Sequence, residues 1–377
     1  RLLPLLCGLL LAACGQRAAR PIGDFTLPVY TPRYASGFEI TGAAGSRSTL
    51  VTVHNPWYGD EVTDQYLFIA RDGEPAPAGF EGQVLRDEAR RVVCMSGSYI
   101  AMLDALGAAD RVVGVSGAQY LINETLRRRI ARGEAADVGF DSNVDFERLM
   151  ALRPDLVMLF GIGGADTALT GKLRELGIPY LYMGEHCEES PLGKSEWVVV
   201  AAEIAGLRTE GSRLFAAIPE RYERLRALAQ QTAARPRVML NTPYRDTWFM
   251  PARNSYMVRL LEDAGARYVF EENTATQTLP IDIEQAYYLT SKSDFWLNVS
   301  GCNTLDEVRR QNPRLADTPP VREGRVYDNN RRRNAAGGSD FWESGVLRPD
   351  RVLADLVHIF HPELSETDEL YYYRQLE

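Results

Sequence analysis

Histidine and cysteine are scarce, with four of the first (His54, His186, His358 and His361) and five of the second in 377 residues. Cys94, Cys187 and Cys302 are spaced too widely for a C-x-x-C metal or redox motif. An odd set of three cannot all pair, so they read as buried apolar fillers that admit one disulfide in an oxidising compartment. His358 and His361 stand three apart before Pro362, without a third ligand at zinc spacing, and read as helix-end residues. Little is left for a catalytic triad or a zinc centre. Serine nucleophile elbows, Walker loops and paired-acid signatures are also missing, and Phe160-Gly-Ile-Gly-Gly164 lacks the G-x-G-x-x-G spacing. That stretch reads as a tight turn from strand to helix. Positive charge is in deficit, 42 Lys and Arg against 51 Asp and Glu, which argues against a broad grip on nucleic acid or anionic lipid. Past the N-terminus no apolar run is long enough to cross a bilayer, and no internal repeat or low-complexity tract is seen.

The N-terminus is different. A basic Arg1, an apolar run and then small residues make residues 1–13 read as a signal peptide, too short to stay as a membrane helix. Leu11-Ala12-Ala13-Cys14 resembles the lipobox of bacterial lipoproteins, which implies lipidation at Cys14. Residues 14–35, loop-like and bearing prolines, then read as a flexible tether.

Short apolar runs alternate with helical patterns over the rest. Strand-like pieces at 48–53 and 65–70 look like a hairpin at a sheet edge. The runs 91–95, 111–115, 155–160 and 178–182 are interleaved with helices 97–106, 144–152 and 166–176, a parallel sheet under helices. A second set combines the runs 237–241, 294–299 and 324–327 with helices 254–264 and 282–290. Between the sets, residues 207–235 favour one long helix, with Pro219 near its first turns. The expected architecture is therefore α/β: two Rossmann-like lobes (36–206 and 236–377) with parallel sheets, joined by one long backbone helix, with a ligand cleft between them. Such a helix resists hinge bending, so the cleft should be largely preformed.

Three stretches in this order resemble the helical-backbone class of periplasmic binding proteins, which serve importers of ferric siderophores, haem and cobalamin. They are residues 92–115, with Leu106-Gly107 and Asp110-Arg-Val-Val-Gly-Val115; 138–157, ending Arg153-Pro-Asp-Leu-Val157; and 254–265. The resemblance implies the substrate-binding component of an ABC importer, set on the periplasmic face of a bacterial membrane. Its expected partners are a small-molecule metal chelate, a permease dimer with its ATPase, and the membrane through a lipid anchor, with no nucleic acid. No cofactor is expected, since the metal would arrive inside its chelator. It further implies that one acid on each lobe docks on permease arginines: Glu262, in Leu261-Glu-Asp-Ala-Gly265, and Glu124, after Tyr120-Leu-Ile-Asn123.

Loop aromatics suit a large flat ligand, and the candidates are Trp57, Tyr58, Tyr99, Tyr120, Phe160, Tyr244, Trp248, Phe341 and Trp342. Arg331, Arg332 and Arg333 follow the last strand, where loops face the cleft, and Arg245 lies near a second-lobe strand. Guanidinium forks suit an anionic chelate, a solvated run being the plainer alternative. The other function class is a two-lobed chelatase-like enzyme acting on a tetrapyrrole or chelate. It requires an acid–base constellation in the cleft, and the sequence offers none.

Overall fold

The structure, a computed structural model, describes residues 19–57, 63–161, 167–244, 247–275, 277–365 and 369–377. Cys14, Tyr58 and Arg245 lie outside these. Among the described residues no helix is long and apolar enough to cross a membrane.

The apolar runs form strands, most of them buried on both faces. In the N-terminal lobe these are β6 (Val92–Cys94), β7 (Val112–Val115), β8 (Ala136–Asp137), β9 (Leu156–Phe160) and β10 (Tyr180–Met183), all parallel in the order β10-β9-β6-β7-β8. Helices α1 (Gly97–Ala105), α2 (Glu124–Ala131), α3 (Phe146–Ala151) and α4 (Ala168–Leu176) connect them. Their starts are written locally: Ser96, Asn123, Asp145 and Thr167 each accept an amide of the first turn. Helices α5 (Pro191–Glu196) and α6 (Val198–Ile204) then pass through the interior, with every residue of α6 buried.

Helix α7 (Arg208–Ala229) joins the lobes as one piece of about 33 Å at 1.5 Å per residue. Gly211, Phe215, Ile218, Tyr222, Leu225 and Ala229 recur at alternating spacings of four and three, which puts them on one buried face. Contrary to expectation, Pro219 does not sit in the first turns; it falls mid-helix, and the helix runs through it at the loss of one amide donor.

The C-terminal lobe holds β11 (Arg237–Leu240), β14 (Arg267–Tyr268), β16 (Phe295–Leu297), β17 (Val326–Asp328) and β18 (Arg374–Gln375) in the order β14-β11-β16-β17-β18, with only β18 antiparallel. A small antiparallel sheet of β12 (Pro243–Tyr244), β13 (Thr247–Met250) and β15 (Leu279–Ile281) stands beside it. The lobe's helices are α8 (Tyr256–Asp263), α9 (Ile283–Ser291), α10 (Leu305–Gln311), α11 (Pro319–Arg322), α12 (Asp340–Leu347) and α13 (Pro349–Phe360).

Two expectations need correction at the N-terminal end. Among the strands before residue 90, the pieces at 48–53 and 65–70 do pair as an antiparallel hairpin, but these strands are not the edge of the lobe's parallel sheet. They form a sheet of their own, β1 (Leu27–Tyr30), β2 (Phe38–Gly42), β3 (Thr49–His54), β4 (Asp64–Ala70) and β5 (Gln83–Arg86), in that order. It covers edge strand β10 with side chains, as Gln65 and Gln83 accept the amides of Tyr182 and Tyr180, each at 3.4 Å. Nor is the chain a flexible tether up to residue 35. The first element among the described residues is a turn of helix over Ile22–Asp24, and the segment after β1 is clipped by two buried carboxylates. Glu196 accepts from the Tyr30 hydroxyl and the amides of Arg33, Tyr34 and Ala35, and Glu188 from the amides of Ser36 and Gly37.

Candidate functional site

In a parallel sheet the carboxyl ends of the strands gather on one side, and the loops there are free to bind. In the N-terminal lobe those loops begin at Ser96, Ser116, Gly161 and Gly184. In the C-terminal lobe two of them begin at asparagines in the left-handed region, Asn241 (φ 66°) and Asn298 (φ 61°). Asparagine tolerates this conformation better than most residues. Each is pinned: Asn241 Nδ2 donates to Phe249 O at 3.0 Å, and Asn298 Oδ1 accepts from the Tyr373 hydroxyl at 3.0 Å.

Several expected aromatics are exposed or half-buried, Tyr120 and Phe160 at these ends, Tyr244 at the end of β12 and Trp342 on α12. Tyr120, after β7, is 47% exposed and lies 6.3 Å from the ring of Phe140, itself exposed. Tyr244 is 66% and Trp342 61% exposed. Phe160 is half-buried, with its ring 4.4 Å from that of His186.

Four others are core residues and are withdrawn from the site. Tyr99 is fully buried on α1, its hydroxyl donating to Leu159 O at 3.2 Å. Trp248 stacks on Trp296 at 5.6 Å, and its indole donates to Leu240 O. Strand alternation explains it, since β13 turns Trp248 and Met250 inward and Phe249 outward. Phe341 packs edge-on against Tyr372 and Tyr373, and the next helical position, Trp342, therefore points elsewhere. Trp57 is buried against Tyr182 at 5.6 Å. Phe140 and Phe249 went unread in the sequence, the latter because one register step separates it from Trp248.

The three consecutive arginines have three different fates. Arg331 pairs with exposed Glu369 at 3.2 Å. Arg332 pairs with buried Asp340 at 2.6 Å and lies over the ring of Tyr371. Arg333 is exposed and makes no side-chain hydrogen bond or ion pair among the described residues. Beneath this loop, buried Asp328 at the end of β17 keeps an oxygen without a hydrogen-bond partner among the described residues. Burial pushes its carboxyl up to about 6, with Arg374 and Arg333 pulling the other way.

After β10 the floor is built of charged groups that the sequence did not single out. Burial pushes the Glu185 carboxyl up to about 7, against the pull of nearby Lys194 and of the Ser98 hydroxyl, which donates to it at 2.9 Å. Burial also lowers His186 to about 4, so its ring is neutral at neutral pH, with Nε2 3.0 Å from Gly161 O. Lys194 donates to the carbonyls of Glu185 and His186, both at 3.1 Å, and lies 5.0 Å from the ring centre of Tyr256 on α8. That ammonium ties the two lobes together. Among the described residues no group of three or more His, Cys, Asp or Glu side chains is arranged to hold a metal ion.

The lobes meet again where residues 334–343 grip residues 119–123. Asn334 Nδ2 donates to Gln119 O and Leu121 O, and the carboxylate of Glu343 accepts the amides of Ile122 and Asn123. Glu124 is exposed at the first turn of α2, next to this grip, and Glu262 is ion-paired with Arg253 at 3.0 Å near the end of α8. A separate polar groove of about 710 Å³ lies between the N-terminal sheet and the start of α7, but its Arg71 and Arg208 are spent on buried Glu203.

A family model described as periplasmic binding protein matches residues 92–331. An uncharacterized lipoprotein of Methanocaldococcus jannaschii is 25% identical over 332 residues, covering 82% of this chain and 77% of the relative. A periplasmic heme binding protein from Pseudomonas aeruginosa shares the fold with a TM-score of 0.59 at 19% identity, covering 77% of this chain and 98% of that one. A periplasmic vitamin B12 binding protein of Vibrio cholerae does so with a TM-score of 0.52 at 14% identity, covering 72% and 96%. A protein of an ABC-type Fe3+-hydroxamate transport system from Saccharomonospora viridis gives 0.54 at 17%, covering 73% and 94%.

Proposed function

Because the chain belongs to the periplasmic binding protein family, we propose that it captures a metal chelate between its lobes and hands it to the permease of an ABC importer. The preferred ligand is an iron complex, a ferric siderophore or haem, with cobalamin next. The observation that carries this reading is the set of exposed aromatics Tyr120, Phe140, Tyr244 and Trp342, together with Arg333, whose guanidinium has no hydrogen bond or ion pair among the described residues. Aromatic faces give a flat ligand contact area at little entropic cost, and a free guanidinium matches a carboxylate or catecholate edge. The names of the structural neighbours, which speak of heme, Fe3+-hydroxamate and vitamin B12, support the same ligand class.

The anchor belongs to this proposal as well. Cys14 carries the lipid, which sets the protein at the periplasmic face of the membrane, and the lipoprotein relative supports it. Glu262 and Glu124 dock on the permease, one from each lobe.

Titration of the purified protein with haemin, a ferric catecholate, a ferric hydroxamate and cyanocobalamin, read by tryptophan fluorescence and visible absorption, tests the assignment. Stoichiometric binding of one of them at about 1 μM or tighter is expected, equivalent to roughly 8 kcal/mol. Binding to none of the four overturns the ligand class, and release of free metal or a modified tetrapyrrole on turnover establishes an enzyme instead.

A further inference from the structure

The segment that carries Tyr120, residues 119–123, is held from the other lobe by two side chains of opposite chemistry. Asn334 Nδ2 donates to Gln119 O at 2.9 Å and to Leu121 O at 3.1 Å, so it takes the carbonyls on either side of Tyr120. The carboxylate of Glu343 accepts the next two amides, that of Ile122 at 2.9 Å and that of Asn123 at 2.6 Å. The backbones touch as well. A Cβ on Gly338 would stand 1.7 Å from Tyr120 O and 2.8 Å from Tyr120 Cα, so the contact requires glycine there.

The other half of the Asn334 carboxamide is used within its own loop. Its Oδ1 accepts the amides of Ala336 at 3.1 Å and Gly338 at 3.0 Å. Its backbone closes the same loop, the amide donating to Gly338 O at 3.0 Å and the carbonyl accepting from Gly337 N at 3.1 Å. A bridge between Arg333 and Ser339 ties off the base. Arg333 thus opens a loop whose next side chain grips the other lobe, and its guanidinium lies along that loop, where a Cβ on Gly337 would meet it at 3.4 Å. Two donated and two accepted hydrogen bonds exhaust a carboxamide. Aspartate has the same shape but no donor.

We propose that Asn334 is a positioning residue that fixes the spacing between Tyr120 of one lobe and Arg333 of the other. That a chelate uses this spacing rests on the function proposed above; the clamp itself does not.

Asn334→Asp separates the two halves of the role. The variant still accepts from Ala336 and Gly338, so the loop stands, but its second oxygen faces two carbonyl oxygens and repels them. Hydrogen exchange on the ligand-free full chain reads this amide by amide. Protection at Ile122 and Asn123 should fall by roughly thirtyfold, the net worth of two lost hydrogen bonds, whereas Ala336 and Gly338 keep theirs. Gly338→Ala, which wedges the same contact apart with Asn334 in place, should lower protection at Ile122 and Asn123 likewise. Unchanged protection at those two amides in either variant, or an equal loss at all four in Asn334→Asp, overturns the clamp.

Binding tests what the clamp places. Against the chelate that the wild type binds among the four named above, Asn334→Asp should lose roughly 10- to 30-fold in affinity. That loss should shrink below about threefold in a Tyr120→Ala background, where the clamp has no ring left to place. Equal losses in the two backgrounds are what a merely structural residue gives, and they overturn the positioning role. If the wild type binds none of the four, the function proposed above fails, while the exchange experiment still decides the clamp.

Discussion

Replacing Arg331, Arg332 and Arg333 one at a time by alanine separates a binding role from a structural one within a single loop. The Arg331 and Glu369 side chains are 42% and 82% exposed, so losing that pair costs about 0–1 kcal/mol. Arg332 is different, because its partner Asp340 has a side chain only 7% exposed, and removing the guanidinium strands a carboxylate. Breaking a fully buried pair costs about 3–5 kcal/mol, and the half-exposed guanidinium lowers this to about 1–3 kcal/mol. Arg333→Ala breaks no hydrogen bond or ion pair among the described residues and leaves Arg374 acting on Asp328, so stability should stay within about 1 kcal/mol. If Arg333 meets the anionic edge of a chelate, its loss removes a charge-assisted hydrogen bond of about 1.5–3 kcal/mol, or roughly 10- to 150-fold in affinity. Urea denaturation and calorimetric titration against a ferric catecholate, with charge-neutral cyanocobalamin as control, distinguish the three. The reasoning is refuted if Arg333→Ala binds the catecholate as the wild type does, or if Arg332→Ala loses affinity at full stability.

Trp248→Ala should destabilise the C-terminal lobe by about 3–5 kcal/mol in denaturant while the folded fraction binds normally. Tyr244→Ala should do the reverse, weakening ligand binding at unchanged stability. Burial acts against ionisation of Glu203, but Arg208 and Arg71 outweigh it and hold the carboxyl below its usual range. The stability this contributes is present at neutral pH and lost as pH falls through that lowered value. Glu203→Gln should therefore cost about 1–3 kcal/mol at pH 7, discounted for the partly exposed Arg208, and the gap to the wild type should narrow as pH falls through the lowered value of the carboxyl in acid-unfolding curves. Glu262→Arg puts like charges beside Arg253 and on the docking face; capture by the permease in nanodiscs should be lost while chelate affinity stays within about twofold.

The two parallel sheets were legible because their inner strands are buried on both faces, which leaves runs such as Leu156–Phe160 apolar throughout. Helix starts were legible for a local reason as well, a capping side chain just ahead of the first turn. The candidate site was only half legible. Whether an aromatic faces the core or the cleft turns on one step of register, as with Trp248 and Phe249, or one helical position, as with Phe341 and Trp342. The arginine run was unreadable residue by residue, since its fates are set by partners elsewhere, Asp340 within the loop's own helix and Glu369 near the C-terminus. Glu343 carried no local signal at all. Its partners are backbone amides more than two hundred residues earlier, and a backbone amide has no side-chain signature in sequence.

The clipping of residues 30–37 by Glu188 and Glu196 bears on how far the molecule can roam. A leash from Cys14 to the first strand of the lobe's family fold, at residue 92, would have let the protein drift freely. The first described element is Ile22–Asp24, so the lipid proposed on Cys14 would lie about eight residues from it, at most roughly 29 Å of extended chain. On that proposal the protein would be moored with its N-terminal sheet close to the bilayer. Its search for a permease would become a walk in two dimensions, at the high local concentration that short tethers impose.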